Sequence, residues 1–327
     1  MDRRVLACAA VFVALSGCSK GTESTTTSQG TTATQSTSAP GTAAQSGESK
    51  TIGVSIQNRE AQFYQDMEGG MKAEAQKFGY TVNVFDASRD NAKQQSQVED
   101  FISQKAAAIV LTPYDSQAIG SAITEANKAS IPVFTADIAN ASKSGKVVAH
   151  IASDNVQGGA QAAKLICAAL GGKGGDVAII DEPEVSSVQD RVKGFRDGLK
   201  SGCPAANVVV DISGGGERAK ASSVMENILQ GHRGVKGVFA INDDSALGAS
   251  KAVQSGGLAG KIAIVGYDAT PEARAAIKAG TMYGDAIQHP DQIGVKTIDA
   301  IHDYFTGKTP AKTISVGVGT YTKADAK

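Results

Sequence analysis

The chain has 327 residues, 32 basic against 33 acidic for a net charge of -1, with 41% hydrophobic residues and no tryptophan. Balanced charge without a basic stripe or a basic amphipathic helix excludes a nucleic-acid footprint and adhesion to a bare membrane surface. The length beyond residue 50 exceeds most single cores and suits two lobes.

Arg3 and Arg4 precede an apolar run, Val5 to Leu15, that has signal-peptide length and is too short to span a bilayer. Leu15-Ser16-Gly17-Cys18 follows. This resembles the lipobox of bacterial lipoproteins. The resemblance implies cleavage before Cys18, acylation of its thiol and a protein anchored on the outer face of the cell membrane by two or three chains. An ordinary secretory signal with a chance cysteine is the alternative. From Ser19 to Lys50 the chain is mostly Thr, Ser, Gly, Ala and Gln, with nothing to bury. It is expected to be a flexible tether, with O-glycosylation left open. Of four cysteines, Cys8 leaves with the signal and Cys18 takes lipid. Cys167 and Cys203 remain in an oxidising compartment, either bridged or as two separate thiols.

From Thr51 the pattern alternates. Thr51–Ile56 reads as a strand, and Phe63, Met67, Met71, Ala75 and Phe78 fall at helical spacing before Gly79. A strand at 81–85, a helix at 92–104, a buried strand at 107–111, a helix at 118–129 and strands at 132–135 and 147–151 follow. The pattern then restarts. Helices at 157–170, 188–200, 219–230, 246–254 and 271–278 alternate with strands at 176–180, 208–211, 237–241 and 262–265. A connection around 286–290, a helix at 292–306 and a strand at 313–318 end the chain. This order predicts an α/β fold of two doubly wound parallel-sheet lobes. The expected division is 51–153 with 289–312 for the first lobe and 154–288 with 313–327 for the second, after a signal peptide at 1–17 and a tether at 18–50.

Ligands of open parallel sheets sit beyond the carboxyl ends of the strands. Those ends carry Gln57, Thr112, Asp137, Asp181, Asn242 and Asp268. Amides and single carboxylates suit the hydroxyls of a neutral polyol, with an aromatic ring against its C–H face. Enzyme readings lack their chemistry. No HExxH, GxxxxGK[ST] or Gly-x-Ser-x-Gly is present, the four histidines have no ligand spacing, and no metal or cofactor is expected. Gly171-Gly-Lys-Gly-Gly175 precedes a strand and reads as a turn.

Several stretches carry a family resemblance: Phe63-Tyr64, Gly145 to Asn155, Asp190 to Phe195, Val238 to Gly248, Val265 to Pro271 and Ile287 to Gly294. Over nearly all of 51–327 the chain resembles the periplasmic sugar-binding proteins of the ribose-binding type, the receptors of ABC importers. The resemblance implies the type I periplasmic-binding fold, a three-crossover hinge and a monomeric receptor. Its partners would be a permease, that permease's ATPase and a small neutral sugar or sugar alcohol. It implies a sandwich by Phe63 and Tyr64, carboxylates at Asp137 and Asp268, an arginine at Arg191 and amides at Asn242 and Gln288. Gln57 is a weaker candidate. Taken singly, Asp137 and Asp268 also suit caps or turns, Phe63 a helix core and Arg191 a surface ion pair.

Three positions depart from the ribose binders. Ile138 stands where they have an arginine, Gly216 where they have a second aromatic, and Ala61 where they have an asparagine. The departures point to another small monosaccharide or to an acyclic pentitol or tetritol, with Gln57, Gln189 and Glu182 as compensating groups. A co-receptor that reports occupancy to a membrane sensor is the alternative function.

Overall fold

β1 (Thr51–Ile56), α1 (Gln62–Lys77), β2 (Thr81–Asp86), α2 (Asn91–Ser103), β3 (Ala108–Leu111), α3 (Gly120–Lys128), β4 (Val133–Ala136) and β5 (His150–Ser153) alternate through the first half. The computed structural model describes residues 50–326, so the signal peptide, Cys18 and nearly all of the tether lie outside the described residues. The second half runs through α4 (Asn155–Ala169), β6 (Gly175–Asp181), α5 (Ser186–Gly202), β7 (Ala206–Ser213), α6 (Arg218–Gly231), β8 (Val235–Ala240), α7 (Asp243–Ser255), β9 (Ala263–Asp268), α8 (Pro271–Ala279) and β10 (Gly284–Ile287). α9 (Pro290–Phe305), β11 (Thr313–Val316) and β12 (Gly319–Thr322) complete it.

Two sheets result, ordered β2-β1-β3-β4-β5-β11 and β7-β6-β8-β9-β10-β12. In each, the order reverses beside the first strand, which opens a crevice at the carboxyl ends. The chain passes between lobes at 154, 288–289 and 317–318. α9 returns to the first lobe because its Ile293, Ile298 and Ile301 bury against Met67 and Met71 of α1.

The two doubly wound lobes stand as expected, and one lobe boundary needs correction. Residues 313–316 do not belong with the second lobe: β11 pairs in parallel with β5, and Val316 is buried in the first lobe's core. The late strand ends at Val316, and a further strand, β12, follows it in the other sheet. β12 also runs antiparallel to β10, so the second sheet is not wholly parallel. β10 itself occupies part of the segment read as a connection.

Small residues set how closely α4 and α5 pack. A Cβ on Gly159 of α4 would overlap the Arg191 carbonyl, and one on Gly194 of α5 would overlap the Val156 carbonyl. The two glycines let the helices approach closely, which fixes Arg191 against the sheet. Cys167 near the end of α4 and Cys203 just after α5 are joined by a disulfide, with Cα atoms 5.7 Å apart.

Candidate functional site

Asp137 and Asp268 stand at matching places, at the ends of the fourth strands of the two sheets. Both have positive φ, 63° and 123°. Such backbone costs about 1–3 kcal/mol and persists where the surroundings impose it. Neither caps a helix: the cap of α8 is Thr270. The two carboxylates face a cleft between the lobes, whose walls include Gln57, Phe63, Tyr64, Arg89, Ile138, Glu182, Arg191, Asn242 and Gln288.

Asp137 is 3% exposed. Its Oδ2 accepts from the Tyr64 hydroxyl at 3.2 Å, and that hydroxyl also lies 2.8 Å from Gln57 Oε1. One phenolic proton serves only one acceptor at a time. Asp137 Oδ1 has no hydrogen-bond partner among the described residues. Burial pushes the Asp137 carboxyl up to about 6, against the pull of Arg191 and the Tyr64 hydrogen bond.

Arg191 is buried, not a surface residue. Its Nε donates to Asn155 Oδ1 at 2.8 Å and its Nη1 to the Ile241 carbonyl at 2.9 Å. The guanidinium lies 4.1 Å from the centre of the Tyr267 ring. Held from three sides, it leaves Nη2 facing Asp137 Oδ1 across the cleft at 3.9 Å. That gap is longer than a hydrogen bond.

Asp268 accepts from Gln288 Nε2 at 2.7 Å, while Gln288 Oε1 is buried without a partner among the described residues. Burial, then repulsion from Asp243, holds the Asp268 carboxyl well above the usual carboxylate range. Asn242 is the N-cap of α7. Its Oδ1 accepts from Ser245 N at 2.9 Å and its Nδ2 donates to the Gly216 carbonyl at 3.1 Å, so much of its capacity serves the fold. Phe63 and Tyr64 meet edge to face, ring centres 5.2 Å apart, and belong at once to the first lobe's core and to the cleft wall.

All eight expected cleft residues therefore converge. Thr112 and Asp181 do not, since neither lines the cleft. Gln189 also lies outside it and donates to the Pro183 carbonyl. Arg89 is a cleft residue that strand ends alone did not signal. It lies three residues beyond Asp86, the last residue of β2, and its Nη2 crosses to the Gly216 carbonyl at 3.3 Å. Among the described residues no group of histidines, cysteines and carboxylates could hold a metal, and no helix is long and apolar enough to cross a membrane.

A cleft lined by carboxylates, amides and aromatic rings between two matched lobes has the geometry of a solute trap. Residues 52–309 match the periplasmic binding protein domain. The chain belongs to that family. It is 39% identical over 266 residues to the ribose import binding protein of Bacillus subtilis, covering 81% of this chain and 85% of that protein. A Caulobacter myo-inositol binding protein, solved with myo-inositol, superposes with a TM-score of 0.79 at 31% identity, covering 84% of this chain and 94% of that one. A solute-binding protein from Agrobacterium vitis, bound with alpha-D-tagatopyranose, superposes at 0.81 and 26% identity, covering 85% and 96%. The family members are solute-binding proteins of transporters, not enzymes.

Proposed function

We propose that this protein captures a small neutral monosaccharide or sugar alcohol in the interlobe cleft and delivers it to an ABC permease. Within that class a pentose, a pentitol such as xylitol or a tetritol such as threitol suits the walls best. One observation carries the reading. Asp137 Oδ1 and Gln288 Oε1 are buried acceptors without partners among the described residues, beside an Arg191 held short of Asp137. Adjacent hydroxyls of a polyol would satisfy them, and closing the lobes around the ligand would complete both walls. Ile138, 1% exposed, leaves the Asp137 wall poorer in donors than an arginine there would. That favours ligands other than ribose, although relatives are named for ribose import.

Transport then needs no chemistry, because the closed shape is what a permease recognises. We further propose that the mature protein starts at Cys18 and is held outside the cell membrane by lipid on that residue, with the body as a monomer on its tether. A thermal-shift screen over pentoses, hexoses and alditols tests the ligand class. A ligand at 100 times its Kd adds about 2.7 kcal/mol of stability. No shift with any member would overturn the reading.

A further inference from the structure

Glu182 follows β6 on the second lobe and is 5% exposed. Its Oε1 accepts from Gln57 Nε2 of the first lobe at 3.1 Å. Gln57 in turn meets Tyr64, and Tyr64 meets Asp137. Glu182 is thus two side chains removed from Asp137 along the cleft wall.

The neighbouring backbone makes room for it. Gly216 has φ 65°, where a side chain is strained, and a Cβ there would lie 2.5 Å from Glu182 Oε2 and 3.2 Å from Asn242 Nδ2. A side chain at 216 and a carboxylate at 182 would compete for one space. Arg89 approaches the same glycine from the first lobe through its bond to the Gly216 carbonyl. Its Nε is buried with no acceptor among the described residues.

We propose that Glu182 and Arg89 form a second polar pole of the cleft, which recognises the hydroxyl of a neutral polyol at the end opposite the one held by Asp137. This rests on the ligand class proposed above. A hydroxyl is the group that fits both partners, since it donates to a carboxylate and accepts from a guanidinium N–H at once. A carboxylate or phosphate on the ligand would meet Glu182 with like charge, and an ammonium would leave Arg89 without an acceptor. Burial pushes the Glu182 carboxyl up to about 7, partly offset by Arg89, so a donor or acceptor role is open to it near neutral pH. The pole makes the protein a reader of ligand length, because only a chain reaching from Asp137 to Glu182 satisfies both ends.

The test measures Kd by calorimetry for glycerol, D-threitol, xylitol and D-ribose. The proteins are the wild type, Glu182→Ala, Glu182→Gln, Arg89→Met and, as a reference, Asp137→Ala, each checked for cooperative thermal unfolding. The expected result is that Glu182→Ala and Arg89→Met each weaken the best probe about tenfold or more while affecting the shortest probe it binds little, so length preference collapses. Glu182→Gln, which keeps the shape, should fall between and serves if the alanine variant fails to fold. Loss in Asp137→Ala with wild-type binding in the Glu182 and Arg89 variants would overturn this inference alone. Equal weakening of all probes would also overturn it, because the pair would then only latch the lobes. A wild type that binds none of the four and no sugar in the wider screen would overturn the ligand class and this inference together.

Discussion

Replacing Asp137 with asparagine keeps the side chain's shape and its tolerance of the left-handed backbone at φ 63°, and removes one charge. The carboxylate Oδ1 is buried, without a partner among the described residues, and 3.9 Å from Arg191 Nη2. A ligand hydroxyl donating to it makes a bond to a charged acceptor, about 1.5–3 kcal/mol against about 1 kcal/mol for a neutral one. Asparagine therefore forfeits about 0.5–2 kcal/mol, a loss of roughly two- to thirtyfold in affinity. Alanine forfeits the whole bond, roughly ten- to a hundredfold. It also costs the fold about 1–2 kcal/mol, because alanine tolerates positive φ less well than aspartate. Calorimetric titration with the strongest ligand of the screen, beside a thermal scan of each empty variant, separates the two effects. The expected order of affinity is Asp, Asn, Ala. Both variants binding within about twofold of wild type would refute the assignment of Asp137 to the ligand.

Thiol counting on denatured, unreduced protein should find neither Cys167 nor Cys203 free, and reduction should cost about 3–4 kcal/mol for a sequence separation of 36. Two free thiols would reject the bridge. Fatty-acid labelling should mark wild-type protein in cells and not Cys18→Ala; labelling of both would remove Cys18 as the anchor. Burial raises Asp137 from an ordinary 3.8 to about 6 and Glu182 from 4.5 to about 7. Carboxyls raised on folding contribute stability that is full below their unfolded values and is lost as pH rises through the folded ones. His150, lowered by burial to about 4, acts oppositely, losing its contribution as pH falls from 6.5 through 4. Asp181, also raised to about 6, adds to the carboxyl side. The Tm of the empty protein should therefore fall between about pH 5 and 7.5, and a rising Tm would contradict the sign.

The alternation of strands and helices was legible because the helices of this fold repeat small and apolar residues at helical spacing, as in Met67, Met71 and Ala75 of α1. Asp137, Asp268 and Gln57 were legible as cleft residues because strand ends in such sheets open onto a crevice. β10 and β12 were not legible. Gly284-Asp-Ala-Ile287 and Gly319-Thr-Tyr-Thr322 are only four residues each, too short for an alternating pattern to stand out, and they pair with one another in antiparallel register. The sheet membership of β11 depends on where Val316 is buried, which is a tertiary fact. Arg89 sits in a polar Ser-Arg-Asp turn that looks exposed until the second lobe covers it. The place of Glu182 follows from the missing side chain of Gly216, 34 residues away in sequence, and only the fold brings the two together.

The most direct test is a crystal structure of the protein grown with the strongest ligand from the screen. The ligand should lie between the lobes with its carbon skeleton against Phe63 and Tyr64, and with hydroxyls within about 3 Å of Asp137, Arg191 and Gln288. The same ligand found instead in the surface groove beside Leu170, Lys173 and Tyr283, with the interlobe cleft empty, would contradict capture between the lobes.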